Sequence, residues 1–330
     1  MNMELLKTLL TAYGATSREG CVREVIKSAI VDYVDSMTTD AMGNLIAVKK
    51  GSGAGKRIMV SAHMDHIGLM VMDADENGFL RVYNVGTLHT DNIVAQHVVF
   101  ENGVMGVVNA DQGVKGELEV GHLYIDVGAE SREEALALAP VGSIAVTAPR
   151  VTMLGKHRIA SPALDDRIAC WALVETLRAL PADMDNEVIA VFTAQEEVGL
   201  RGATVAAFAV QPDMGIALDV TGLGDIPGHK SHLPMALGKG AAVKIMDKSL
   251  FCTPSVVSLM VQCAEENGIP YQREVLPMAR TEAGAMQKTQ GGVPAGGISI
   301  PCRYMHSAAE VVDLRDAQAA QKLLAAVLMK

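Results

Sequence analysis

The chain has 330 residues, of which 49% are hydrophobic, 4% aromatic and 20% charged, with 31 Gly; disordered, collagen-like and coiled-coil classes are excluded, and about two compact domains are expected. Lys plus Arg number 28 against 38 Asp plus Glu, a formal charge of -10, which repels nucleic-acid phosphates and anionic lipid. Five scattered cysteines with no C-x-x-C pair read as reduced thiols used as small apolar residues, and point to the cytoplasm.

The opening segment, MNMELLKTLLTAYG, places Leu5, Leu6, Leu9, Leu10 and Tyr13 on one helical stripe. It has no small-residue cleavage site, so the expectation is an amphipathic helix and not a signal peptide. No apolar run approaches the ~18 residues of a membrane span, so neither a membrane nor a nucleic acid is expected as a partner. Ser17 predicts the N-cap of a second helix with a stripe at Val22, Val25, Ile26, Ala29, Ile30 and Tyr33. The first buried strand, Ile58 to Ala62, follows the Gly51 to Gly55 turn and ends in His63, Asp65 and His66.

That pattern recurs three times. Val188 to Phe192 runs into Gln195, Glu196 and Glu197; Met214 to Leu218 runs into Asp219; Gly297 to Ile300 precedes Arg303, Tyr304 and His306. Helices are predicted over 166–180, 255–266 and 317–328. Between 67 and 154 the texture changes to short alternating segments punctuated by Gly and Asn-Gly turns, with one helix, 132–138, under a Ser131 to Glu134 capping box. The expected organisation is an α/β catalytic domain of residues 1–66 and 155–330, with a mixed sheet and helices on both faces, into which a small β-rich domain of residues 67–154 is inserted.

Apolar strands whose carboxyl ends carry His, Asp and Glu converge on one crevice in an open α/β sheet. Singly, each of these residues reads as easily as a cap, a solvated turn or an ordinary histidine; together they make a candidate site. His63, Asp165, Glu197, Asp219 and His306 are enough ligands for two divalent cations. Three carboxylates and a bridging hydroxide balance the charge of two such ions, and mixed His and carboxylate ligation suits zinc, cobalt or manganese. Asp65, two residues beyond His63, can orient that imidazole. Glu196, beside the ligand Glu197, is free to act as a general base. The Gly51 to Arg57 stretch is too short for a phosphate loop, and neither H-E-x-x-H nor G-x-S-x-G occurs.

These motifs, Ala62-His63-Met64-Asp65, Ala163-Leu164-Asp165-Asp166-Arg167, Gln195-Glu196-Glu197-Val198-Gly199, Leu218-Asp219 and Arg303-Tyr304-Met305-His306-Ser307, occur in an order and at separations that resemble the tetrahedral (TET-type) dinuclear metalloaminopeptidases across nearly the whole chain. The resemblance implies a di-zinc exopeptidase-like fold with Asp165 bridging two metals, His63 and Asp219 completing one site, and Glu197 and His306 the other. It further implies Glu196 as general base acting on a metal-bridged water, Asp65 as orienter, and a cis bond at Asp165-Asp166. The inserted domain becomes a PDZ-like dimerisation domain and the particle a homododecamer built from dimers. Two positions depart from the pattern: His66 stands where Glu usually follows His-Met-Asp, and Glu282 follows Thr281 where Asp is common.

The function expected is removal of the N-terminal residue from short peptides. Rivals are a deacylase or carboxypeptidase of the same architecture, a glucanase, for which 4% aromatic content offers few stacking platforms, and a catalytically silent assembly protein, which would need a lost ligand. The basic residues Lys230, His232 and Lys239 of the loop from Thr221 to Lys239 read first as solvated loop charges, with a preference for acidic N-termini as the alternative.

Overall fold

Two sheets divide the chain. In the computed structural model, which describes residues 1–228, 233 and 235–330, the four apolar runs form the parallel centre of an 11-stranded sheet. Glu187–Thr193 lies beside Arg57–His63, which pairs with Met214–Gly222, which pairs in turn with Ala295–Arg303. Ile58 to His63, Val188 to Thr193 and Ala295 to Cys302 are buried without interruption, as strands covered on both faces must be. Antiparallel strands extend the edges: the hairpin of Ser36–Thr39 and Leu45–Lys49 on one side, and Glu310–Asp313, Arg158–Ser161 and Thr152–Leu154 on the other. Ala241–Asp247 branches from Ala295–Arg303 and carries Tyr271–Leu276.

Helices cover both faces. Leu164–Ala179 runs through the core beneath one face, packing Ile168 and Trp171 with Leu6, Leu9, Ile26, Met260 and Leu323 from neighbouring helices. Each large apolar side chain withdrawn from water there contributes about 1.5–3 kcal/mol. On the other face Arg201–Val210 and Ala283–Gln287 bring Ala206, Ala207 and Met286 against Met59, Val191 and Ala217. The helices therefore fix the sheet from both sides and leave its carboxyl edge open.

Gly68–Ala74, Phe79–Val85, Leu123–Asp126, Met105–Ala110, His97–Phe100 and Ile144–Thr147 close into a six-stranded barrel in that order. Leu69, Val71, Leu80, Val98, Phe100, Val108 and Ile125 fill it. Closure leaves no free strand edge to recruit another chain. Thr152–Leu154 falls in the stretch that sequence texture groups with the insertion, yet it pairs into the main sheet.

Two capping expectations change. Ser17 sits at φ +68° and donates its N–H to Glu19 Oε1 at 2.7 Å, so the second helix begins at Gly20 behind Glu19. Ser131 Oγ does accept the Glu134 N–H at 3.3 Å, but the Glu134 carboxylate accepts from the Glu130 N–H, one residue outside a capping box.

Candidate metal centre

Parallel register places the site. His63 ends its strand opposite Thr193, Glu196 and Glu197 follow two and three residues beyond Ala194, and Asp219 stands opposite Ser299. Asp165 lies at the start of the buried helix, at φ -79°, ψ 103°, before helical geometry is established. The Asp165-Asp166 bond is cis. His306 comes from the loop after Ala295–Arg303, at φ +58°. Gln195, Leu200 and Tyr304, which flank the site, also take positive φ, a backbone region costly for residues other than Gly and concentrated at functional sites.

One carboxylate stands at the centre. Asp165 Oδ1 is 3.0 Å from His63 Nε2, and its Oδ2 is 3.3 Å from His306 Nε2. Asp219 Oδ1 approaches His63 Nε2 at 3.9 Å, and Glu197 Oε2 approaches His306 Nε2 at 3.4 Å. The donor atoms thus form two groups that share Asp165: His63, Asp165, Asp166 and Asp219 in one, Asp165, Glu197 and His306 in the other, each within 4.8 Å. All five ligands expected from the sequence are brought together. Glu196 belongs to neither group, its Oε2 lying 4.0 Å from His63 Nε2.

The electrostatics fit a cation. Burial pushes the Glu197 carboxyl well above its ordinary range, and Asp165 and Glu196 add repulsion. Asp219 is raised well above its ordinary value by burial, with Asp165 adding to the effect against His63. Burial alone would lower the His63 imidazole, but Glu196, Asp165 and Asp65 outweigh it and hold it high. Asp165 is lowered, because contacts with His306 and His63 overcome its burial. Such crowding of buried carboxylates is unfavourable until positive charge enters. Glu197 Oε1 and Asp166 Oδ1 are buried without a hydrogen-bond partner among the described residues. Oxygen and imidazole donors of this kind suit divalent ions of the zinc, cobalt and manganese class.

Around the donors, further carboxylates hold backbone. Asp65 was expected to orient His63 through its side chain, but His63 Nδ1 is 3.0 Å from the Asp65 carbonyl oxygen and 3.6 Å from the carboxylate. The carboxylate instead accepts from Glu196 N–H at 2.9 Å, Glu197 N–H at 3.3 Å and Thr16 Oγ1 at 2.7 Å. Asp65 therefore orients the imidazole with its main chain and the two glutamates with its side chain. Asp166 Oδ2 accepts the His63 N–H at 3.2 Å, and Glu310 accepts from Asp165 and His306. Neither role is visible in the sequence, because a side chain that binds main-chain N–H groups leaves no spacing signature.

The cleft has a volume of about 450 Å³ and is lined by His63, Asp165, Glu197, Asp219 and His306 together with Glu196, and by the exposed Lys248 and Arg280. Lys230 and His232 lie outside the described residues, and Lys239 is exposed and does not line the cleft. His66 and Glu282 are both buried, each close enough to His63 to feel its charge.

The family model described as M42 glutamyl aminopeptidase matches residues 43–323. The chain belongs to the M42 aminopeptidase family. It is 38% identical to the lysyl aminopeptidase of Pyrococcus furiosus over 344 residues, covering 99% of this chain and 97% of that protein. Among solved structures, an aminopeptidase from the archaeon Desulfurococcus kamchatkensis matches with a TM-score of 0.95 at 38% identity, over 99% of this chain and 94% of that one. The Pyrococcus horikoshii TET1 peptidase, which can assemble into a tetrahedron or a large octahedral shell, matches with a TM-score of 0.88 at 32% identity over 99% of each chain. The M42 chain described here is accordingly a hydrolase of peptide bonds, with a buried His, Asp and Glu cluster that fits divalent cations.

Proposed function

We propose that this M42 aminopeptidase removes the N-terminal residue from short peptides using two divalent cations per chain, of zinc, cobalt or manganese, with Glu196 as general base. The observation that carries the reading is the pair of donor groups sharing Asp165, with Glu196 left outside both. Asp165 would bridge the ions, His63 and Asp219 would complete one site, and Glu197 and His306 the other. When bound, the cations supply Lewis acidity, which polarises the scissile carbonyl and makes water easier to deprotonate.

The chain's own residues do the rest. Burial holds the Glu196 carboxyl well above its ordinary range, with Asp219 and Glu282 adding to the shift against His63; Glu196 would take a proton from the attacking water and pass it to the leaving amine. Asp65 fixes the Glu196 backbone for that transfer. The acidic lining suits the free α-amino group of a substrate, while Lys248 and Arg280, which also line the cleft, suit anionic groups of the peptide.

Residues 1–66 and 155–330 form the catalytic domain in this reading, and 67–154 an inserted PDZ-like dimerisation domain. Support comes from the barrel's own sheet and core, and from Met72, Tyr83, Met105 and Val141, large apolar side chains 50–61% exposed on that part of the chain. By analogy with the TET1 peptidase, dimers would build a homododecamer whose lumen admits only short peptides. Five free cysteines, four of them buried, fit a reducing cytoplasm. Among the described residues no helix is long and apolar enough to cross a membrane.

The test is Glu196→Gln, assayed with zinc, cobalt and manganese against a panel of aminoacyl chromogenic substrates and their N-acetylated forms. Metal content should be unchanged and turnover should fall by about 10²–10⁴, while acetylated substrates are refused by wild type. Full turnover by the variant, or hydrolysis of the acetylated panel, would contradict the proposal.

A further inference from the structure

Two of the proposed donors sit on backbone that no regular element holds. Asp165 precedes helical geometry and His306 occupies a left-handed turn in a loop. Their side chains nevertheless meet at 3.3 Å. A single buried carboxylate ties the two segments together: Glu310, 1% exposed, accepts the Asp165 N–H on Oε2 and the His306 N–H on Oε1, each at 2.9 Å. Its own backbone is fixed opposite Ser161 in the main sheet. Glu310 contributes no atom to either donor group.

We infer that Glu310 is a positioning residue that sets the spacing of Asp165 and His306, and through it the affinity of the half-site formed by Asp165, Glu197 and His306. The contrast with the other half-site is structural. His63 takes its backbone support from Asp166 and its strand, so disturbing Glu310 reaches that half only indirectly, through the Asp165-Asp166 segment. Glu310→Gln keeps the shape but offers one oxygen, turning an NH2 group against the second N–H. Glu310→Asp keeps the carboxyl group but is one methylene too short to span both segments.

The inference rests on the two-ion proposal, and its test is cobalt(II) titration of metal-free full-length protein, read by calorimetry and by the visible absorption of the bound ion. His306→Ala and His63→Ala mark the two half-sites. Glu310→Gln should bind one of the two ions about 10–100-fold more weakly, with the absorption change resembling that of His306→Ala; Glu310→Asp should fall between it and wild type. Circular dichroism identifies a variant that has failed to fold, in which case the other variant decides. Wild-type affinity for both ions, an equal loss at both, or a loss confined to the ion that His63→Ala affects, overturns the inference. Should wild type itself bind fewer than two ions, the two-ion proposal fails on that isotherm alone and this inference falls with it.

Discussion

His66 is a residue whose chemistry follows from where it is buried. It is 5% exposed, and burial first, then the Arg167 guanidinium, push its imidazole down from 6.5 to about 3. Folded chains keep His66 neutral while unfolded chains protonate it below pH 6.5, so the unfolded state binds the extra proton and stability falls on acidification between pH 6.5 and 3. One such proton contributes up to ~1.4 kcal/mol per pH unit. His66→Gln should therefore show a shallower fall in melting temperature than wild type between pH 7 and 5; parallel slopes would mean that His66 is not the group responsible.

At the scale of elements, the site depends on how closely the helix Arg201–Val210 approaches the strand end that leads to Glu196. Gly202 donates to the Ala194 carbonyl at 3.1 Å and accepts from the buried Asn44 amide at 3.0 Å, while Asn44 Oδ1 accepts the Ala194 N–H at 2.9 Å. A Cβ at Gly202 would meet the Ala194 oxygen and Asn44 Oδ1 at 2.3 Å each. Helix propensity favours Ala over Gly by about 1 kcal/mol, but overpacking costs about 1–3 kcal/mol, and here one obstruction is backbone. The steric term wins, so Gly202→Ala should lower both the melting temperature and kcat, the latter by displacing Glu196. A rise in melting temperature would show that the helix can shift freely.

The elements the sequence discloses are those with a single purpose. The four central strands are legible because they are buried on both faces, and the long helices because only one stripe of each needed to be read. Ala241–Asp247 and Tyr271–Leu276 are not, because the buried Lys244 and Glu274 that pair with each other interrupt the apolar pattern. Ser36–Thr39 is mostly exposed at an edge and carries no burial signal. The same logic divides the site: His63, Glu197, Asp219 and His306 follow apolar strand runs and Asp165 opens a helix, so they are legible as a group, while Glu310 and Asp166 act on main-chain N–H groups that every sequence possesses.

For the whole molecule, a sheet packed on both faces leaves one open edge, and the four parallel strands deliver their polar ends to it. The barrel adds a second closed core with exposed apolar side chains, and relatives assemble into shells. The names of family and relative, glutamyl and lysyl, differ over the residue removed. Lys248 and Arg280 are described cations that line the cleft.

All of this turns on Asp165 serving two ions at once. The most direct measurement is metal content by atomic emission after stripped wild type and Asp165→Asn are each re-equilibrated with zinc and dialysed. Wild type should retain two ions per chain and the variant neither. A wild type that keeps one ion or none, or a variant that keeps both, would contradict the shared centre.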